Sequence, residues 1–428
     1  MDRFVIEGGI PLRGEITASG NKNAALKMLP ACLLTDEPVI LHNVPDIADV
    51  RITADILRHL GVEITELDAH TWQVQARDIR TSVLPEDKAK LIRSSFVMAG
   101  PLLARTGSLT LPIPGGDVIG RRRLDTHVLA LEKLGVHIDL TEGAFVMNAD
   151  GLQAADILLD EASVTATENA ILASVTARGT STIRNAASEP HVQNLCHMLN
   201  AMGAQIENIG SNCLTLHGVD RLHGAELRIG ADYLEVGSFI GAAVMTGGEI
   251  TIHQADPEHL DMIALVFAKL GVHWEVRGDA ILVPAGQDLV VRRDLGNRIP
   301  VIKAQPWPAF PSDLMSIALT VATQAAGSIL FHEWMYDGRF FFTDKLVSMG
   351  ARIVLCDPHR ALVYGPTALH GVPNIASPDI RAGMALLLAA LAARGTTTIH
   401  NVRQIDRGYE RVEEKLRALG AHIERLSD

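Results

Sequence analysis

The chain has 428 residues, 47% hydrophobic and 21% charged, with 38 Lys and Arg against 50 Asp and Glu for a net charge of −12. That is too long for one typical core, so two domains are expected, and too acidic for a nucleic-acid binder, which carries a basic face. Its four cysteines, Cys32, Cys196, Cys213 and Cys356, form no CxxC pair, which argues against a zinc site and fits a reduced cytoplasmic setting.

The first residues, MDRFVIEGG, hold only three consecutive apolar side chains, too few for a signal peptide. Next comes Ser19-Gly20-Asn21-Lys22-Asn23-Ala24-Ala25-Leu26, a turn of small polar residues opening a helical pattern. Such a turn caps a helix, and its free N–H groups also suit an anion. EPVILHNV, from Glu37, alternates like a half-buried strand. VRITADILRHL then has helical periodicity and stops at Gly61, since glycine takes the left-handed conformation at a helix end at little cost.

This pair of signals recurs along the chain. The helix stop is LGVEI, LGVHI, MGAQI, LGVHW, MGARI and LGAHI, with glycines at 61, 135, 203, 271, 350 and 420. The strand signal is EPVILHNV, GSLTLPI, GTSTIRNA, GGEITIHQA, GSILFHEW and GTTTIHNV. Two independent signatures keep one order six times, which makes six units of roughly 70 residues, each with helices and strands. Units of this size form small α/β subdomains rather than a solenoid. Three per domain gives two similar domains, with a ligand expected in the cleft between them.

Between these signals lie the segments that could carry chemistry. Arg93 interrupts an apolar stretch, KLIRSSFVMAGPL, where a snorkelling helix arginine reads the same way. PGGDVIGRRRLDTH follows, with Asp117 just ahead of Arg121, Arg122 and Arg123. Three arginines suit a strongly anionic ligand, and Gly115, Gly116 and Gly120 suit a loop that closes over it. Further on stand EASVTATEN, SEPHVQ and ADYLEVG. PAFPSD ends in Asp313, stiffened by its prolines; an N-cap for LMSIALTVATQAAG is the bland reading. DGRFFF holds Arg339, PDIRAGMA holds Arg381 and IDRGYE holds Arg407. The longest apolar run, Ala382 to Ala393, is too short for a bilayer and predicts a buried helix.

The six repeats, SGNKNAAL, PGGDVIGRRR, PAFPSD and IDRGYERVEEKLRALGA together resemble the enolpyruvyl transferases over essentially the whole chain. The repeats fit the shikimate-pathway branch equally well; SGNKNAAL and the PGGxxIG loop favour the branch that acts on a UDP-sugar. The resemblance implies an α/β fold of two inside-out α/β barrel domains, helices inside and sheets outside, built from six βαβαββ units. The domains would be 22–229, carrying the 114–127 loop, and 1–21 with 230–428. It implies transfer of the enolpyruvyl group of phosphoenolpyruvate to UDP-N-acetylglucosamine in the cytoplasm, with release of phosphate. It also implies no metal or organic cofactor, no nucleic acid and no membrane partner.

By the same resemblance Lys22, Arg122 and Arg407 neutralise phosphate, and Arg339 and Arg407 bind the carboxylate with Arg381 nearby. Asn23, Arg93, Leu124, Asp125, Thr126 and Tyr336 contact the UDP-sugar, and Ser163, Val164 and Thr165 form its diphosphate turn. Asp313 faces the sugar hydroxyl as base or positioner. Asp117 stands where the family usually has a cysteine that acts as proton donor. An aspartate donates a proton near neutrality only if its pKa, ordinarily about 3.9, is raised. A carboxylate is also a poor nucleophile toward epoxides, so insensitivity to fosfomycin is expected. Other departures are Glu161 for a lysine, Arg123 for a proline, Thr165 for a glycine, His191 for an acid and Tyr233 for an arginine. They leave open a different nucleotide or sugar-phosphate acceptor, or a non-catalytic sugar-nucleotide-binding protein.

Overall fold

The computed structural model describes residues 2–116, 119–120 and 122–427. The chain divides into two compact units. The terminal unit comprises the described residues of Met1–Ser19, Val118–Arg121 and Ala231–Asp428; the inserted unit comprises those of Gly20–Asp117 and Arg122–Gly230. The mixed α/β fold rests on small sheets, three in each unit.

In the terminal unit all three sheets have four strands. Its first strand, Arg3–Gly8, lies inside a sheet between Gly395–His400 and His422–Leu426, antiparallel to both. The inserted unit has two four-stranded sheets and one of three strands. Its last strand, Glu226–Arg228, runs parallel to Val39–His42, near the unit's beginning. Within the terminal unit Asp232 donates its N–H to Ser19 O at 2.9 Å, and within the inserted unit Asn21 donates to Gly230 O at 2.8 Å. The Glu235 carboxylate takes Ser19 N–H at 2.6 Å and pairs with Lys415 at 2.7 Å, so the point where the chain leaves the terminal unit is pinned.

Eight helices are labelled: α1 (Lys22–Ala31), α2 (Ala48–Leu60), α3 (Asp125–Lys133), α4 (Val164–Ser174), α5 (Pro190–Ala201), α6 (Tyr233–Thr246), α7 (Met315–Ala322) and α8 (Ile380–Ala392). In the terminal unit α6 is buried from Tyr233 to Met245, α7 throughout and α8 from Ile380 to Leu391. A helix that is apolar all round belongs in an interior. The strands bury alternate residues, as in Val39–His42, where Val39 and Leu41 are buried and Ile40 and His42 are not. Among the described residues no helix is long and apolar enough to cross a membrane.

The repeat signals have local causes. Gly61, Gly135, Gly203, Gly271, Gly350 and Gly420 all have φ between +82° and +106°, where a side chain is strained. The strand signal ends in a second left-handed position, at Asn43, Asn185 and Asn401, with φ of 59°, 59° and 58°. Each asparagine amide donates to a carbonyl, Ile229 O, Leu159 O and Ser377 O respectively, at 2.9–3.0 Å.

Candidate active site

In the inserted unit Asn21 caps α1, its Oδ1 accepting Ala24 N–H at 3.0 Å, so the turn does cap a helix. Lys22 opens that helix with its side chain only 8% exposed, and its Nζ lies 2.8 Å from Asp49 Oδ2. Asp49 stands in the first turn of α2 and is itself buried. Neighbouring Asn23 is half-buried. The cation is thus held in place by a carboxylate 27 positions later in sequence.

Arg93 does not snorkel. Its Nη2 donates to the carbonyls of Arg122 and Arg123 at 2.5 and 2.8 Å, bracing the segment after the glycine loop. The loop glycines are required by close packing. A Cβ on Gly115 would meet Lys90 O at 1.9 Å, and Gly116, at φ +116°, would place one 3.0 Å from Arg93 Cβ. Within the terminal unit Ile119 O accepts the Gly338 N–H at 3.0 Å, and a Cβ on Gly120 would meet Asp337 N at 2.9 Å. Asp117, the candidate proton donor, lies outside the described residues, as does Arg121.

Arg122 is half-buried and makes no ion pair among the described residues. Arg123 pairs with Asp125 at 3.3 Å and Asp160 at 3.0 Å. Leu124 precedes α3, exposed Asp125 begins it, and buried Thr126 donates to Asp160 Oδ1 at 2.6 Å. Ser163 caps α4, its Oγ accepting Ala166 N–H at 3.4 Å, and Val164 and Thr165 form the first turn. His127 Nε2 and Thr165 Oγ1 are 3.0 Å apart, tying the start of α3 to that of α4.

In the terminal unit Asp313 caps no helix: the residues at the starts of its 3₁₀ turn and of α7 are Pro311 and Leu314, neither with a side-chain cap. Its carboxylate instead joins two arginines. Oδ1 accepts from Arg339 Nη2 at 2.8 Å and Oδ2 from Arg381 Nε at 3.2 Å. Both arginine side chains are at most 5% exposed, against 32% for Asp313. Among the described residues Arg339 Nε and Arg381 Nη1 are buried with no hydrogen-bond partner. The spare donors of the two guanidinium groups suit an anionic ligand. Tyr336 lies under Arg339 at 5.2 Å and Tyr409 under Arg381 at 5.4 Å. Arg407 follows the short Arg403–Asp406 helix and donates to Gln404 Oε1 at 3.0 Å.

The profile of the EPSP synthase family, 3-phosphoshikimate 1-carboxyvinyltransferase, matches residues 6–416. A UDP-N-acetylglucosamine 1-carboxyvinyltransferase of Treponema denticola is 52% identical over 424 residues, 99% of each chain. This chain belongs to that family. The crystal structure of the enolpyruvyl transferase NikO from Streptomyces tendae superposes with a TM-score of 0.88 at 26% identity, covering 100% of this chain and 99% of that one. EPSP synthase from Acinetobacter baumannii shares the fold alone, with a TM-score of 0.77 at 17% identity and both chains fully covered.

Within this 1-carboxyvinyltransferase frame, two departures turn inward. Tyr233 is 2% exposed and packs on Trp307, ring centroids 5.6 Å apart, so it fills core. His191 is buried in α5. Four further groups escaped the sequence reading. Asp49 sits on the buried face of α2 beside Val50 and Thr53, where an acid breaks the apolar stripe. Glu333 continues the inward alternation of Ile329 and Phe331; its carboxylate accepts from Ser312 Oγ at 2.5 Å, and burial pushes its pKa up. Tyr409, two residues after Arg407, meets Ser238 Oγ at 2.9 Å, and burial raises its pKa too. Asn169 lies in α4 with no sequence signal beyond a polar residue in an apolar run.

Proposed function

We infer that this chain transfers the enolpyruvyl group of phosphoenolpyruvate to the 3′-hydroxyl of UDP-N-acetylglucosamine. The observation that carries the reading is the Arg339–Asp313–Arg381 cluster, two buried cations with spare donors on one partly exposed carboxylate. Phosphoenolpyruvate carries a carboxylate and a phosphate and needs such a set of fixed forks. Arg339 and Arg407 take the carboxylate with Arg381 beside them, and Lys22, Arg122 and Arg407 neutralise the phosphate. The sugar oxygen bonds to C2 while C3 gains a proton, giving a tetrahedral ketal. Loss of that proton from C3 then expels phosphate and restores the double bond. Asp313, oriented by its two guanidinium partners, accepts the hydroxyl proton. Asp117 delivers the proton to C3 in the place of a thiol. The product enters peptidoglycan synthesis, and both substrates place the reaction in the cytoplasm. The three sheets and buried helices of each unit are read as an inside-out α/β barrel of three βαβαββ repeats.

Without a loop thiol the enzyme is insensitive to fosfomycin. The pairing of Arg123 with Asp125 and Asp160 favours, as a second reading, the same transfer to another acceptor. Phosphate release from phosphoenolpyruvate tests both, with UDP-N-acetylglucosamine, with shikimate 3-phosphate and without acceptor. Turnover is expected only with the UDP-sugar, to be lost in Asp117→Asn and kept in Asp117→Cys, which becomes fosfomycin-sensitive. Turnover undiminished in Asp117→Asn would remove the aspartate from the chemistry. Silence with a folded, phosphoenolpyruvate-binding protein would move the reading to another acceptor.

A further inference from the structure

The inference rests on the transfer reading and concerns how the inserted unit holds the nucleotide's diphosphate. Asn169 is fully buried and its amide can face only one way. Its Oδ1 accepts the Gly100 N–H at 2.6 Å, and its Nδ2 donates to Phe96 O at 3.1 Å. The same Nδ2 stands 3.2 Å from His127 Nδ1. An amide N–H faces only a lone pair, so Nδ1 is the acceptor and the ring proton sits on Nε2. Burial pushes the His127 pKa down to about 3, so the ring is neutral at working pH. Nε2–H therefore donates to Thr165 Oγ1, 3.0 Å away. That donation fixes the hydroxyl as well: its own hydrogen must go to a further acceptor, and no described group supplies one.

Thr165 is half-exposed in the first turn of α4, two residues after Ser163. One cation near it faces three carboxylates. Arg123 is held by Asp125 and Asp160, and Glu161 is exposed beside them. A dianionic group therefore finds little net positive charge there and depends on neutral donors. We propose that Thr165 is a one-way hydrogen-bond donor to a diphosphate oxygen of the sugar nucleotide, oriented through His127 by Asn169. A diphosphate oxygen at neutral pH only accepts, which is the match a fixed donor requires.

The test begins with wild-type turnover on UDP-N-acetylglucosamine, then compares Thr165→Val, Thr165→Ser and Asn169→Asp. Thr165→Val keeps the shape and removes the hydroxyl. It should raise KM for the UDP-sugar on the order of tenfold, as expected for a bond to a charged group. KM for phosphoenolpyruvate should move less than twofold, and Thr165→Ser should restore most of the loss. Uridine, which lacks the diphosphate, should bind wild type and Thr165→Val alike. Asn169→Asp puts an acceptor opposite Nδ1 and reverses the chain, so the Thr165 hydrogen turns back to Nε2. It should lose as much affinity as Thr165→Val with the hydroxyl still present. The ¹⁵N spectrum of His127 in the wild type should show the neutral Nε2–H form, and this holds the test if Asn169→Asp does not fold. An unchanged KM in Thr165→Val, equal weakening of uridine, or an Nδ1–H signal would overturn the proposal while leaving the transfer reading intact. Absence of any UDP-sugar-dependent turnover in the wild type would sink both.

Discussion

Asp313 shows how one side chain gains its role from partners far away in sequence. Its nearest neighbours in the chain suggest a helix cap, and only the fold brings Arg339 and Arg381 to its two oxygens. Lys22 was legible from its turn, but its partner Asp49 was not, because pairing across two helices leaves no local periodicity. Breaking a buried pair leaves one charge uncompensated. Asp49→Asn should therefore lower unfolding stability by about 2–4 kcal/mol and raise KM for phosphoenolpyruvate. An unshifted urea midpoint would show that the pair carries no stability. Glu168 offers a pH test. It is fully buried in α4, 3.3 Å from Lys27, yet burial pushes its pKa from 4.5 to about 7. An acid whose folded pKa lies above its unfolded value favours folding most at low pH, and that contribution fades as pH rises through the folded value. Stability should thus decline between pH 4.5 and about 7, by roughly 1–3 kcal/mol from this group. Glu168→Gln should flatten the decline. Identical slopes in urea titrations of the two proteins would assign it elsewhere.

At the scale of the element, the repeat was the most legible feature because it rests on backbone conformation. A glycine at a left-handed helix end and an asparagine at a left-handed strand end are each chosen by local strain, and such choices are visible in sequence. Asn185 illustrates the second: its φ is 59° and its amide donates to Leu159 O at 3.0 Å. Asn185→Gly loses only the amide's bond, about 1 kcal/mol. Asn185→Ala loses the bond and adds left-handed strain of about 1–2 kcal/mol. Thermal melts should rank wild type above glycine above alanine, and an alanine variant as stable as the glycine one would show that the backbone relaxes there. The loop glycines were read as a source of mobility, yet Gly115 is compelled by the Lys90 carbonyl. Gly115→Ala should force the loop off that carbonyl and cut kcat/KM tenfold or more, by a rough reckoning from misplacement of catalytic groups. An alanine variant with full kcat/KM would show that the loop tolerates the shift. Sequence supplied the glycines but not the surface they pack on.

At the scale of the molecule, the inserted unit is one nearly continuous stretch whose ends meet at the Asn21–Gly230 bond. Residues 20–230 alone should melt as a cooperative domain, since their core draws on no strand from outside. Residues 231–428 alone should not, because Arg3–Gly8 is missing from the interior of a sheet. Circular dichroism of the two fragments decides this, and a cooperative melt of 231–428 would show the first strand to be dispensable. The placement of that strand also sets an order on the ribosome. Arg3–Gly8 is made long before its partners, Gly395–His400 and His422–Leu426. At about 5–20 residues per second the opening strand waits roughly 20–80 s for them. The inserted unit is complete long before. Every newly made chain therefore carries this partly apolar strand without its partners through that interval, and a chaperone that covers it would have the whole of that time in which to act.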